Sequence, residues 1–113
     1  MHEYSVTKSL VDLCNEEARQ SGLMKVYKIY LKIGKFTGFS PDSIHFYFDY
    51  LKPGTKCAEA KIIFEKIPIK IKCQDCKKEL LIDDPIFLCP NCGKTNIDII
   101  SGREFYVESI EGE

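Results

Sequence analysis

Two cysteine pairs carry the clearest chemistry in this chain, within the stretch CQDCKKELLIDDPIFLCPNCG. Cys73 and Cys76 form one C-x2-C pair and Cys89 and Cys92 the other, with twelve residues between them. Each pair can set two thiolates on one side of a tight turn, and two facing turns complete a tetrahedron. Pro90 and Gly93 suit such a turn, because proline fixes φ and glycine lets the backbone approach the sulfurs. With all four positions filled by cysteine, no coordination site stays open for catalysis. The set therefore predicts structural zinc with Zn–S bonds of ~2.3 Å. Tetrahedral iron shares that geometry and is the main competitor. Two disulfides or four free thiols are the remaining readings of such pairs.

The second candidate is the start of the chain, MHEYS. Nickel(II) favours square-planar nitrogen coordination. The Met1 amine, the His2 backbone amide and the His2 ring Nδ1 offer three nitrogens in sequence. Amine and amide close a five-membered chelate ring; amide and Nδ1 close a six-membered one. The amide must lose its proton, so binding weakens as pH falls. The bulk of His2 disfavours removal of Met1. Glu3, Asp42, His45, a water or a partner's ligand could fill the fourth corner. The plainer reading of these residues is a frayed terminus, since chain ends are loose unless tied down.

Two further cysteines lie outside the pattern. Cys14 falls on an apolar helix face and reads as a small core residue; Cys57 follows a turn and has no assigned role. His45 sits beside a buried stripe, as a partly exposed structural histidine.

The elements that must position these groups are legible. Residues 5–21 predict a helix with Val6, Leu10, Leu13, Cys14 and Ala18 on its apolar face and Gly22 as its stop. In KVYKIYLKIG, Tyr27, Ile29, Leu31 and Ile33 alternate with Lys28, Tyr30 and Lys32, which predicts a half-buried strand. FSPDSIHFYFDYLKPG predicts a second helix. Ser40 caps it, Pro41 opens it, Asp42 suits its positive end, and Pro53-Gly54 ends it. Ile44, Tyr47, Phe48 and Leu51 form its buried face. AKIIFEKIPIKIKC reads as one long strand, with Pro68 at an edge, a bulge or an exit from the sheet. GREFYVESIE reads as the last strand.

The fold class expected is α+β: a small, mainly antiparallel sheet with two helices on one face and an inserted zinc-ribbon-like module. Residues 1–70 and 98–113 would form the nickel-binding α/β domain and residues 71–97 the zinc-binding four-cysteine module. About twenty residues bury too little surface to fold alone, so zinc would supply the missing stability. Leu80, Leu81, Ile82, Ile86, Phe87 and Leu88 could pack over the knuckles.

Composition narrows the classes. The 113 residues are 44% hydrophobic and 29% charged, with a net charge of −1. That gives no global electrostatic case for nucleic acid or an anionic membrane. No apolar run approaches the ~20 residues of a bilayer span. The start has neither a basic region nor an apolar signal core, so a cytoplasmic setting is expected, and six cysteines there suggest metal before disulfides. No nucleophile–base pair, phosphate loop or open catalytic zinc is evident, so no enzyme is expected.

The MHEYS start, the GKFTGFSPDSI strand-to-helix junction, the paired cysteines and the IISGREFYVESIE end together resemble the hydrogenase nickel-incorporation family HypA/HybF, over essentially the whole chain. The resemblance implies Ni(II) as transient cargo at His2, with Glu3 in the same motif, and Zn(II) at Cys73, Cys76, Cys89 and Cys92. It also implies nickel delivery to the [NiFe]-hydrogenase large-subunit precursor, together with the GTPase HypB, and to urease for some members. Two other readings compete. A nucleic-acid-binding zinc ribbon draws on Lys61, Lys66, Lys70, Lys72, Lys77 and Lys78, set against Glu65 and Asp75. The acidic run Glu79, Asp83, Asp84 then breaks the basic stripe. A rubredoxin-like electron carrier would hold iron in the same thiolates but leaves the M-H-E start unexplained.

Overall fold

A computed structural model describes residues 2–83 and 88–113. In chain order the elements are α1 (Glu3–Gln20), β1 (Val26–Gly34), a 3-10 turn (Lys35–Thr37), α2 (Pro41–Leu51), β2 (Lys61–Ile67), β3 (Ile69–Cys73), β4 (Glu79–Ile82), β5 (Ile97–Ser101) and β6 (Phe105–Gly112). The fold is α+β, with two helices and mostly antiparallel sheets. The strands form two sheets rather than one, ordered β2-β1-β6 and β4-β3-β5. Pro68 is where the long apolar run divides. It has no N–H for a ladder, so β2 ends before it and β3 begins after it in the other sheet.

The chain groups into two compact units. The first comprises Met1–Leu31, Phe39–Glu65 and Tyr106–Glu113; the second comprises Lys32–Gly38 and Lys66–Phe105.

In the first unit, α1 begins at Glu3, two residues earlier than its periodicity suggests. Thr7, Leu10, Val11, Cys14 and Ala18 are buried, whereas Val6 is half-buried and Leu13 is 49% exposed. The buried stripe is thus rotated toward Thr7 and Val11. Thr7 can be fully buried because its hydroxyl donates to the Glu3 carbonyl at 2.6 Å. The helix closes with Leu23 N–H on Ala18 O and Gly22 N–H on Arg19 O, and Gly22 takes φ 75. That is a Schellman stop, and Gly22 supplies its left-handed residue without a Cβ penalty. On α2, Ile44 and Phe48 are buried while Tyr47 and Leu51 are half-buried. On β1, Val26, Ile29 and Leu31 are buried. Tyr27 lies outside, its hydroxyl donating to Glu113 Oε1 at 2.5 Å.

In the second unit, β3 is the central strand and its alternation I-K-I-K-C is obeyed. Ile69, Ile71 and Cys73 are buried, and Lys70 and Lys72 face the other way. It pairs antiparallel with β4 (Ile71 opposite Leu80) and with β5 (Ile71 opposite Ile99). The β5 pairing slips by one residue between Lys70 and Ile71, a bulge that leaves Ile100 unopposed and exposed. Strand β5 has no counterpart in the sequence reading. Of the apolar residues expected over the knuckles, Leu80 and Ile82 are half-buried and Leu81 and Leu88 are exposed. Ile86 and Phe87 lie outside the described residues, as does Asp84.

Candidate metal centre

Cys73 closes β3 on its buried side, so the strand period itself delivers the first sulfur to the interior. The chain then turns. Lys77 N–H donates to Cys73 O at 2.9 Å, and Cys73 N–H to Lys78 O at 3.0 Å. The second pair repeats the pattern. Gly93 N–H donates to Cys89 O at 2.8 Å, and Cys89 N–H to Lys94 O at 2.8 Å. Both turns need a left-handed residue directly after the second cysteine. Gly93 supplies it at φ 75 and Lys77 at φ 64. The glycine was readable from sequence as a turn residue; that a lysine fills the equivalent place was not.

The four sulfurs lie within 4.8 Å of one another. Cys73 and Cys92 sulfurs are 3.5 Å apart, and those of Cys76 and Cys89 3.7 Å. A tetrahedron with ~2.3 Å bonds has edges of ~3.8 Å, so the donor set fits a single tetrahedral ion such as zinc. Electrostatics distinguish the sulfurs. The Lys78 N–H holds the Cys76 thiol down at about 6. The Lys94 N–H lowers Cys92 in the same way, but burial and the sulfurs of Cys73 and Cys89 outweigh it and raise that thiol to about 11. A divalent cation among them relieves the repulsion by holding all four as thiolates. It would link two turns that few buried side chains hold.

The amino terminus belongs to the first unit. His2 is exposed at the N-cap of α1, and its carbonyl accepts from Val6 N–H at 2.9 Å. A capping residue's amide nitrogen stands outside the helix ladder, and His2 as a residue is exposed. Glu3 is anchored: its Oε2 accepts from the Ser40 N–H at 2.9 Å. Ser40 in turn caps α2, its Oγ accepting from Ser43 N–H at 3.3 Å. Tyr4 packs edge-on against Tyr47 with ring centroids 5.6 Å apart. The first turn of α1 is therefore fastened to α2, and Asp42 sits in that same first turn of α2. His45 instead packs edge-on against Phe64 at 5.0 Å. The Met1 amine lies outside the described residues.

Four cysteine sulfurs gathered on paired turns of a small α+β protein are a donor set that could hold a metal ion. The family model described as "Hydrogenase/urease nickel incorporation, metallochaperone, hypA" matches residues 1–112, and the chain belongs to this family. It is 40% identical over 114 residues to the hydrogenase maturation factor HypA of Caldanaerobacter subterraneus, covering all of both chains. Against that of Aquifex aeolicus it is 38% identical, over all of this chain and 98% of the relative. The solution structure of the Ni metallochaperone HypA from Helicobacter pylori superposes with a TM-score of 0.70 at 25% identity, covering 99% of this chain and 97% of that one. Among the described residues no helix is long and apolar enough to cross a membrane.

Proposed function

We propose that this chain is a nickel metallochaperone of [NiFe]-hydrogenase maturation. It binds Ni(II) through the Met1 amine, the His2 amide and the His2 ring, and holds Zn(II) structurally at Cys73, Cys76, Cys89 and Cys92. The observation that carries the reading is the anchored terminus. His2 is exposed while the residue after it is tied to Ser40. An exposed chelate on a fixed base can take up and release a cargo ion, which a buried cage cannot do readily. With one Glu3 oxygen engaged, the other is available as a fourth ligand. The zinc set leaves no open position, in keeping with a carrier rather than a catalyst.

On this reading the first compact unit is the nickel-binding body and the second the zinc-binding one. The GTPase HypB and the hydrogenase large-subunit precursor are the proposed partners, in a cytoplasmic setting. Urease delivery rests on the family description alone. The basic run favours nucleic acid less than its charge suggests, because Lys70 pairs with Glu79 at 3.1 Å.

The test is a side-by-side nickel titration of tag-free protein and protein carrying several extra residues before Met1. Extension converts the amine into a peptide nitrogen and leaves His2 and the fold unchanged. The tag-free protein should develop the visible bands of planar Ni(II) and the extended one should not. Equal affinity and spectra in both would rule out the amine as a ligand.

A further inference from the structure

Strand β6 ends the β2-β1-β6 sheet. It lies beside β1, and among the described residues no strand follows it on the other side. An edge strand offers backbone N–H and C=O groups to an extended chain laid alongside it. Natural edges are commonly blunted by proline, lysine or shortness. Strand β6 runs for 8 residues, Phe105–Gly112, and contains neither proline nor lysine. A groove of about 190 Å³ accompanies it, lined by Val107, Glu108, Ser109 and Ile110 together with Leu13 and Glu17 of α1. Successive strand side chains face opposite sides, so four consecutive lining residues place the groove along the strand's edge rather than on one face. Its apolar wall is Leu13, Val107 and Ile110, with Leu13 49% exposed. Its charged side chains are the carboxylates of Glu17 and Glu108, and the lining holds no cation. Both cations of α1 are engaged elsewhere, Lys8 with Asp12 and Arg19 with Glu16.

We propose that the groove between β6 and α1 is a docking site for an extended, lysine- or arginine-bearing segment of a partner protein, which adds to the sheet as a further strand beside β6. Backbone pairing supplies the alignment, and alternate side chains supply the selectivity. An aliphatic residue of the segment seats against Leu13, Val107 and Ile110, and a cation of the segment meets Glu17. Charge disfavours a second β6 as the occupant. Strand β6 carries Glu108 and Glu111 and no cation, so pairing it with its own copy sets carboxylates beside carboxylates. Leu13 lies three turns along α1 from His2, about 16 Å, so docking here does not require nickel.

The experiment follows zinc-loaded, full-length, isotope-labelled protein by NMR as an acetylated and amidated peptide of alternating lysine and valine is added. Two controls each keep part of its chemistry. One is the same peptide with glutamate for lysine; the other is spermine, which has the charge but no amides or apolar side chains. The lysine–valine peptide should shift the amide signals of β6 and of residues 13–17 and slow amide exchange in β6; neither control should. Glu17→Lys, at an exposed position, should weaken binding of the peptide about tenfold and leave the thermal midpoint unchanged. Leu13→Lys, which removes part of the apolar wall, should act in the same direction. If either variant fails to fold, the three titrations of the parent protein still decide. Equal shifts with spermine or with the glutamate peptide, or no shift in β6 at millimolar peptide, would overturn the docking site. So would β6 shifts that grow with protein concentration in the absence of peptide, since a second copy would then occupy the edge.

Discussion

Glu3 shows how much one carboxylate near a chain end can do. Its acceptor contact with Ser40 N–H joins the start of α1 to the cap of α2. Glu3→Ala should cost about 1 kcal/mol of stability, the usual scale of a lost cap contact. Glu3→Gln keeps a side-chain oxygen for the same N–H and should cost less. Urea denaturation measures both, and equal losses would mean that charge rather than the hydrogen bond sets the stability. His2 provides the contrast, because it is exposed and its side chain makes no capping bond. His2→Ala should abolish specific nickel binding while leaving zinc content and the thermal transition as they were. A variant that titrates with nickel like the parent would move the nickel site elsewhere.

Among the turns, two glycines make different predictions. Gly93 adopts φ 75, and a Cβ built there meets nothing within 4 Å. Gly93→Ala should therefore bear only the left-handed penalty, about 1 kcal/mol, with zinc retained. The lysine at φ 64 in the other knuckle already bears it. Gly34 has φ −81, so its conformation suits any residue, but a Cβ there would lie 2.0 Å from the Gly102 carbonyl oxygen. That oxygen already accepts from Phe36 N–H at 2.7 Å, and Gly34 N–H donates to Glu104 O at 2.6 Å. Gly34→Ala must push backbone apart and should cost about 3 kcal/mol or more. Chemical denaturation of the two alanine variants side by side checks the order; a milder Gly34→Ala would mean the strands can separate freely there.

Taken as a whole, the chain has unequal halves. The first unit buries Leu10, Val11, Ala18, Ile29, Ile44 and Phe48 among others, whereas β3 to β5 bury chiefly Ile69, Ile71, Cys73 and Cys89. So little apolar surface does not hold a fold without a cross-link. Stripping zinc with a strong chelator should abolish amide-exchange protection in β3, β4 and β5 and spare α1 and α2. Cys73→Ser or Cys92→Ser should have the same effect, because three thiolates leave the shell open. Acid acts in the same sense. Protons compete with zinc for sulfur, so zinc release should increase as pH falls. Protection of β3 unchanged after complete zinc removal would show that packing, not metal, holds this unit.

Local chemistry made much of this legible from the sequence. The cysteine spacing, the Ser40-Pro41-Asp42 helix start, the Gly22 stop and the I-K-I-K-C alternation each state a backbone requirement within a few residues. The long-range choices were not local. Whether IIFEKI and IKIKC join one sheet or two depends on which strands stand beside them, and Pro68 allowed either. The rotation of α1 that buries Thr7 and exposes Leu13 follows from what packs against it, since the helical period fits both faces. The Glu3–Ser40 tie and the Asn15–Lys56 contact join residues about 40 positions apart. No periodicity encodes such a meeting; only the packed chain brings those groups together.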